Sequence, residues 1–257
     1  MSAKPSPFCW YELMTSDPVA ATAFYKAVIG WSTADAGMPG MAYTLLSVGE
    51  AQVGGLMKLD PATCPPGVPP CWTGYVWVDD VDAYCKRLAT AGGKVQRPPE
   101  DIAGVGRFAV VADPHGAVFI LFKDASGPQR PPVAAGTPGH IGWHELQAGN
   151  GAAAFDFYAA LFGWTKGQAV EMGPMGIYQC FATGGEDVGG MMTKMPEVPG
   201  PFWLYYFNVD ALDAAVARAV AGGGKLLMGP QEVPGGSWIA QCLDPQGALF
   251  AMVSAKR

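Results

Sequence analysis

The sequence predicts an α+β protein that contains two copies of one unit, each built of paired βαβββ modules whose curled, mostly antiparallel sheets surround cavities. Three observations support this prediction. The chain has 257 residues, of which 50% are hydrophobic and 15% charged, so it can bury a large core. An internal repeat runs through the whole chain, and each copy shows the same order of strand and helix signals.

The repeat consists of matching residues at a nearly constant separation. The motif Trp10-Tyr11-Glu12-Leu13 returns 133 residues later as Trp143-His144-Glu145-Leu146. Later matches include Tyr43 with Tyr178, Val53-Gly54-Gly55 with Val188-Gly189-Gly190, and Asp113-Pro114 with Asp244-Pro245. A match of this extent indicates duplication of a whole domain. We therefore predict a first domain at residues 1–125, a proline- and glycine-rich linker at 126–138 and a second domain at 139–257.

The elements of the first copy follow in order. A strand is predicted from Phe8 to Met14, and a helix then starts at the cap Asp17, with Pro18 at its first position, and ends at Gly30. In the second copy, Asn150 and Gly163 are the corresponding cap and stop.

Further strands and a second helix complete the copy. Strands are predicted at residues 42–48, 52–57 and 72–78, and a helix at 81–91. A tight turn at Asp113-Pro114-His115-Gly116 joins strands at 108–112 and 117–122. The double-glycine segments lack the surroundings of a phosphate-binding loop, and we interpret them as strand bends or bulges.

Composition excludes several classes of function. The formal net charge of -6 provides no basic surface for a nucleic acid. No run of apolar residues is long enough to cross a membrane, and no secretory signal opens the chain. We therefore expect a soluble, cytoplasmic protein that binds neither nucleic acid nor membrane. The six cysteines are interpreted as reduced thiols.

The repeated motifs resemble the vicinal oxygen chelate superfamily, which includes glyoxalases, extradiol dioxygenases and bleomycin resistance proteins. The resemblance rests on Asp17-Pro18, Phe24-Tyr25, Ile29-Gly30-Trp31, Val78-Asp79-Asp80-Val81-Asp82 and Asp113-Pro114-His115-Gly116. It covers nearly the whole chain twice, in the layout of tandem glyoxalase-like proteins.

The resemblance also implies where metal ligands would stand. The three ligand positions of the family fall on Trp10, Thr73 and Ile120 in the first copy, and on Trp143, Leu204 and Ala251 in the second. None of these side chains is a usual ligand for Zn, Fe or Mn. Alternation places His144 on the face opposite Trp143, where we interpret it as a packing residue, although a one-residue shift would reverse its direction. We therefore expect no cofactor; a divalent metal is the less favoured alternative.

Strand alternation predicts the residues of a metal-free site. We expect Glu12 and Glu145 to be catalytic carboxylates suited to general acid–base work, because burial among aromatic side chains would raise their pKa. The alternative is that each is hydrogen-bonded to a nearby tyrosine hydroxyl or a backbone amide and only braces the sheet. The predicted substrate-binding residues are Trp10, Thr73, Tyr75, Trp143, Gln147 and Tyr206. Arg107 could hold an anionic substrate, but we favour its interpretation as a solvated strand-end residue.

Three functional hypotheses stay open at this point. The first, which we favour, is a protein of the glyoxalase and bleomycin-resistance type that binds a small, partly apolar molecule in aromatic cavities. The second is a glyoxalase-like lyase or dioxygenase that uses Glu12 and Glu145, with or without a divalent metal. The third is that one or both copies serve as a scaffold. The predicted partner is a small-molecule ligand or substrate, and the predicted state is a monomer or homodimer.

Overall fold

The structure is a computed structural model that describes residues 5–38, 40–60, 64, 67–125 and 133–257. The first half contains β1 (Phe8–Thr15), α1 (Pro18–Val28), β2 (Ser32–Asp35), β3 (Tyr43–Val48), β4 (Ala51–Lys58), β5 (Cys71–Trp77), α2 (Val81–Thr90), β6 (Lys94–Ile102), β7 (Gly106–Ala112) and β8 (Val118–Asp124). The second half contains β9 (Ile141–Ala148), α3 (Gly151–Phe162), β10 (Thr165–Glu171), β11 (Ile177–Ala182), β12 (Asp187–Thr193), β13 (Phe202–Asn208), α4 (Leu212–Ala221), β14 (Lys225–Glu232), β15 (Trp238–Leu243) and β16 (Leu249–Ser254). A short 3₁₀ turn (Gly173–Met175) lies between β10 and β11.

Each half forms one eight-stranded mixed sheet. The strand order is β2-β3-β4-β1-β5-β8-β7-β6 in the first half and β10-β11-β12-β9-β13-β16-β15-β14 in the second. The β1–β4 and β5–β8 pairs are parallel, as are β9–β12 and β13–β16. Hairpin pairs such as β3–β4 and β7–β8 are antiparallel. The predicted α+β class and the tandem duplication are therefore confirmed.

The described residues divide into two compact units that do not follow the two halves. Unit one draws on Met1–Cys9, Gly74–Pro132 and His144–Trp203. Unit two draws on Trp10–Thr73, Val133–Trp143 and Leu204–Arg257. Each unit thus combines one βαβββ module from each half of the sequence.

Paired hydrogen bonds join the two modules within each unit. In unit two, the Tyr25 hydroxyl on α1 donates to Asp244 at 3.1 Å and accepts from the Trp72 indole at 2.9 Å. In unit one, the Tyr158 hydroxyl on α3 donates to Asp113 at 3.3 Å. The same hydroxyl accepts from the Trp203 indole at 3.1 Å. The aspartate of each Asp-Pro turn is therefore bound by the helix of the other half.

The edge strands were missing from the sequence prediction. Strand β2 (Ser32–Asp35) is mostly exposed, and its short polar sequence shows no apolar alternation. Strand β6 (Lys94–Ile102) contains Pro98-Pro99, and its register with β7 shifts between Arg97 and Glu100. Proline and charged residues are typical of edge strands because an edge needs fewer backbone donors, but they hide the strand from pattern analysis.

Part of the predicted linker, residues 126–132, lies outside the described residues. The domain limits at 125 and 139 therefore stay a prediction. Within the described part of the chain, no helix combines the length and the apolar character that a membrane crossing requires.

Candidate functional site

The first predicted carboxylate lies in the middle of β1, where Glu12 pairs with Gly55 of the parallel strand β4. Only 7% of Glu12 is exposed. The neighbours Tyr11 and Leu13 point to the opposite face of the strand, which alternation requires, and both are buried. The fold therefore shields the Glu12 carboxylate from most solvent, so protein groups must supply its hydrogen bonds.

Tyr43 supplies the main partner of Glu12. Its ring lies directly over Gly55, where any Cβ atom would collide with the phenol. The Trp10 indole N–H donates to the Tyr43 hydroxyl at 2.9 Å, and that hydroxyl in turn hydrogen-bonds to Glu12. Burial raises the pKa of Tyr43 far above its usual value, and the negative charge of Glu12 raises it further. The tyrosine therefore stays protonated and acts as a donor to the carboxylate.

The second half repeats this arrangement in unit one. Glu145 on β9 pairs with Gly190 of β12 and is 8% exposed. Tyr178 lies over Gly190, again in the space of the absent Cβ, and donates to Glu145 at 3.3 Å. The Gln147 amide donates to the other oxygen of Glu145 at 2.8 Å. The buried pair of glutamate and tyrosine over a glycine is thus a duplicated feature.

The double-glycine segments have the bulges that were predicted, but the bulged residue is the valine before each pair. The register of β3 with β4 skips Val53, and that of β11 with β12 skips Val188. The glycines themselves serve close approach. Gly55 and Gly190 leave room for tyrosine rings, as described above, whereas Gly54 lies against the Tyr11 carbonyl.

Thr73 is linked to Glu12 indirectly, because both residues interact with the Cys71 thiol. The Thr73 side chain hydrogen-bonds to the Cys71 thiol, and both residues are in β5. Burial is the main cause that raises the pKa of this thiol; nearby Cys64 and Glu12 contribute to the rise. The Cys71 thiol is therefore near the Glu12 carboxylate and is hydrogen-bonded to Thr73.

The other predicted substrate-binding residues have partners of their own. Tyr75 is 7% exposed and meets the Phe122 ring edge-on, with 5.8 Å between the ring centroids. The Tyr206 hydroxyl is 2.9 Å from the Gln241 amide nitrogen, which donates to it. Trp143 lies on β9 and is partly exposed.

His144 is buried, as its interpretation as a packing residue requires. Its Nδ1 lies 2.7 Å from the carbonyl oxygen of Val188, and its ring stacks on Phe8 with 4.3 Å between centroids. Burial lowers the pKa of His144 to about 4, and the bond to Val188 only partly offsets this effect. The ring is therefore neutral at pH 7.

Metal ligands do not converge in the described part of the chain. Nowhere in it do three His, Cys, Asp or Glu side chains stand close enough together to hold an ion. Thr73 and Ile120, at two of the ligand positions implied by the resemblance, lie on β5 and β8 among apolar and aromatic side chains. The donor set present here does not fit the divalent metal that the fold family implies.

Arg107 forms salt bridges with two aspartates and does not present an open anion site. Its guanidinium binds Asp82 at 2.7 Å and Asp101 at 3.0 Å. Two carboxylates occupy the donors that an anionic substrate would need. The alternative that Arg107 holds such a substrate is therefore not supported.

Sequence reasoning missed Tyr43 and Tyr178 as parts of the site. The signal was present, because both tyrosines recur at the same offset of 135 as the double glycines. What the sequence could not show is that each ring crosses from one strand to the glycine on the next. That contact depends on the cross-strand register.

Comparison with known proteins agrees with the repeated fold. A family model described as Glyoxalase/Bleomycin resistance protein/Dioxygenase superfamily matches residues 8–121 and again 138–252. "Putative glyoxylase CFP32" of Mycobacterium bovis is 34% identical over 247 residues, which cover 95% of this chain and 93% of that protein. "Anthracycline biosynthesis protein DnrV" of Streptomyces peucetius is 34% identical over an alignment of 267 positions. The alignment covers 98% of this chain and 94% of that protein.

A solved structure shares the fold at lower identity. The Mn(II)-bound glyoxalase from Novosphingobium aromaticivorans superposes with a TM-score of 0.67 and 18% sequence identity. The match covers 99% of this chain and 83% of that one. At this identity the match supports the architecture and leaves the chemistry of the site to the residues described above.

Proposed function

Because the chain belongs to the Glyoxalase/Bleomycin resistance protein/Dioxygenase superfamily, we propose that it binds a small, partly apolar molecule through its buried Glu–Tyr pairs, without a resident metal. The single observation that carries this proposal is the duplicated pair of Glu12 with Tyr43 and Glu145 with Tyr178, each over a glycine. Removing a carboxylate from water costs free energy that hydrogen bonds offset only in part, and this cost occurs twice in the chain, which favours a functional use.

The chemistry of the pair indicates the kind of ligand. The carboxylate can accept a hydrogen bond from a ligand hydroxyl or amine, and the indole of Trp10 offers an apolar ring beside it. Sites for small molecules typically combine apolar and aromatic walls with a few placed polar groups. The names of relatives as an anthracycline biosynthesis protein and as a glyoxylase are compatible with a small organic molecule.

Absence of a resident metal is part of the proposal. It is supported by the donor set, since the implied ligand positions hold tryptophan, threonine, leucine, isoleucine and alanine side chains. His144 would have to break its bond to Val188 and leave its stack on Phe8 before it could become a ligand. We further propose that the chain acts in the cytoplasm as a monomer or homodimer, with no nucleic acid or membrane as partner.

A second candidate is a lyase or dioxygenase activity that uses Glu12 or Glu145. The observation in its favour is the buried Glu12 carboxylate, which the Tyr43 hydroxyl holds in place by a hydrogen bond. A positioned carboxylate of this kind suits work as a general base. The relative named as a glyoxylase adds support. If this activity used a divalent metal, the ion would have to be held by residues other than those at the ligand positions that the family resemblance implies.

The test uses 2-naphthol, which has an apolar ring system and one hydroxyl donor. Calorimetric titration should show binding to the full chain that weakens about tenfold in Glu12→Gln or Glu145→Gln, because a hydrogen bond to a charged acceptor contributes about 1.5–3 kcal/mol. The exposed Glu50 provides the control variant Glu50→Gln, in which affinity should not change. Recovery of unchanged 2-naphthol would favour binding over turnover.

Three outcomes would count against the proposed binding site. If both variants bind 2-naphthol as the wild type does and only their unfolding free energy falls, the carboxylates merely brace the sheets. A double Trp10→Ala, Trp143→Ala variant that keeps full affinity would place the ligand elsewhere. Absence of any 2-naphthol binding would contradict the proposal in this form.

A further inference from the structure

One face of the half-sheet β5-β8-β7 in unit one carries four aromatic side chains, of which Tyr75 and Phe108 are buried. In the register of the sheet, Tyr75 pairs with Ile120, Trp77 with Phe122, and Phe122 with Phe108. Paired residues point to the same side of a sheet, so these five side chains share one face. Trp77 and Phe122 are partly exposed.

The opposite face of the same strands is the core under α2. Val76, Ala109 and Leu121 alternate with the aromatic residues and are completely buried. This face also carries a large ring, Phe119, which is completely buried. The two faces therefore differ in exposure, since the other face has the partly exposed rings of Trp77 and Phe122.

Trp77 has a polar group without a partner. Its indole nitrogen is shielded from solvent and makes no hydrogen bond with any described residue. A shielded N–H without an acceptor costs free energy, and native structures leave few such groups. An acceptor oxygen supplied by a ligand would remove this cost.

The corresponding face of the second half is different. At the positions of Trp77, Phe122 and Phe108 stand Asn208, Val253 and Ile239, so three of the four rings are lost. The remaining ring, Tyr206, has its hydroxyl bonded to the Gln241 amide at 2.9 Å. This face therefore has fewer rings, and the Gln241 amide already donates to its phenol.

We propose that the aromatic face around Trp77 is a binding site for a flat, apolar ring system that carries an acceptor oxygen, and that the second half has no equivalent of it. The inference rests on the proposed function in assuming a small, partly apolar ligand. It adds that the ligand has a flat ring system and an acceptor oxygen, that Trp77 binds this oxygen, and that one ligand molecule binds per chain. The rings of Tyr75 and Phe122 contact the ligand, and the Trp77 N–H donates to its oxygen. Phe108 lies at the border of the site, because the Arg97 guanidinium is 5.0 Å from the centroid of its ring.

The test compares 9-fluorenone with fluorene, two flat tricyclic molecules that differ in one carbonyl oxygen. Equilibrium dialysis against the full chain should give one 9-fluorenone per chain at saturation. Trp77→Phe keeps a ring but removes the donor, so it should weaken 9-fluorenone binding about fivefold and change fluorene binding less than twofold. Trp238→Phe is the matched control, since this indole lies on β15 of the second half under the Arg257 guanidinium.

A second measurement needs no variant. Among the indole N–H resonances of the eight tryptophans, one should shift downfield on addition of 9-fluorenone and stay in place on addition of fluorene. Two 9-fluorenone molecules per chain, equal effects of Trp77→Phe on both probes, or no selective indole shift would each overturn the inference. If 2-naphthol still binds in a Glu12- or Glu145-dependent way, the proposed function survives that failure. If neither probe binds, both proposals fail.

Discussion

The hydroxyl of Tyr25 donates a hydrogen bond to Asp244 across 3.1 Å, although 219 residues separate them in the sequence. The symmetry-related bond joins Tyr158 to Asp113. Because each bond connects a helix of one half to the Asp-Pro turn of the other, the two halves complete each other within both compact units. Duplication in this chain has therefore produced halves that depend on one another.

We expect Tyr25→Phe to lower the free energy of unfolding by about 2 kcal/mol, because it leaves the Asp244 carboxylate and the Trp72 indole with one partner fewer in a buried place. Tyr158→Phe should have a similar effect. Urea denaturation measures both. Ser32→Ala, at an exposed hydroxyl of β2, is the control and should change stability by less than about 0.5 kcal/mol. Wild-type stability in Tyr25→Phe would show that the bond contributes nothing.

Stability should depend on pH through His144. Burial lowers the pKa of this group to about 4 from an ordinary value of 6.5, so between these values the unfolded chain binds more protons than the folded chain. This contribution to stability is fully present above about pH 6.5 and is lost as the pH falls towards 4. The difference of about 2.5 units corresponds to about 3 kcal/mol.

Urea unfolding at several pH values in this window measures that contribution. In His144→Phe the loss of stability on acidification should be smaller than in the wild type by about 3 kcal/mol. The exposed His115 supplies the control His115→Asn, which should keep the wild-type slope. Parallel curves for the wild type and His144→Phe would contradict the neutral, buried state of His144.

The glycines below the two tyrosines give a third prediction. In Gly55→Ala the new methyl group would overlap the Tyr43 phenol, so the ring must move away from Glu12. We expect a loss of about 1–3 kcal/mol in the free energy of unfolding, the usual cost of overpacking. Gly190→Ala should act alike through Tyr178. Gly200 has open space around its Cβ position, and Gly200→Ala should leave stability nearly unchanged.

A double-mutant cycle identifies the cause. If the clash with the ring is responsible, Gly55→Ala should cost little in a Tyr43→Ala background, so the two changes should be strongly non-additive. Additive effects would instead point to the backbone of β4.

The repeated pattern was sufficient to predict the fold class, because residue matches over the whole chain and caps such as Asp17 act locally. The edge strands β2 and β6 escaped, since exposed and proline-containing strands lack the alternation that marks a half-buried strand. The combination of modules from both halves in each unit also could not be predicted. Tyr25 and Tyr158 occupy equivalent positions, so the sequence alone does not tell which Asp-Pro turn each one meets.

The predicted site was incomplete for a related reason. Glu12 and Glu145 could be selected because polar residues are unusual within apolar strands. Tyr43 and Tyr178 could not, because their contact with the carboxylates requires the register that puts Gly55 beside Glu12 and Gly190 beside Glu145. The Trp77 indole N–H, which has no hydrogen-bond partner among the described residues, is likewise recognised only from three-dimensional packing.

The central claim is that the Glu–Tyr pairs bind a small molecule without a resident metal, and one measurement tests it most directly. Protein purified without tag or chelator is analysed for Zn, Ni, Fe and Mn by inductively coupled plasma mass spectrometry, and 2-naphthol is then titrated before and after treatment with EDTA. We predict metal well below one ion per chain and the same affinity in both titrations. Near-stoichiometric metal, with binding that is lost on chelation and restored by the metal, would contradict the claim.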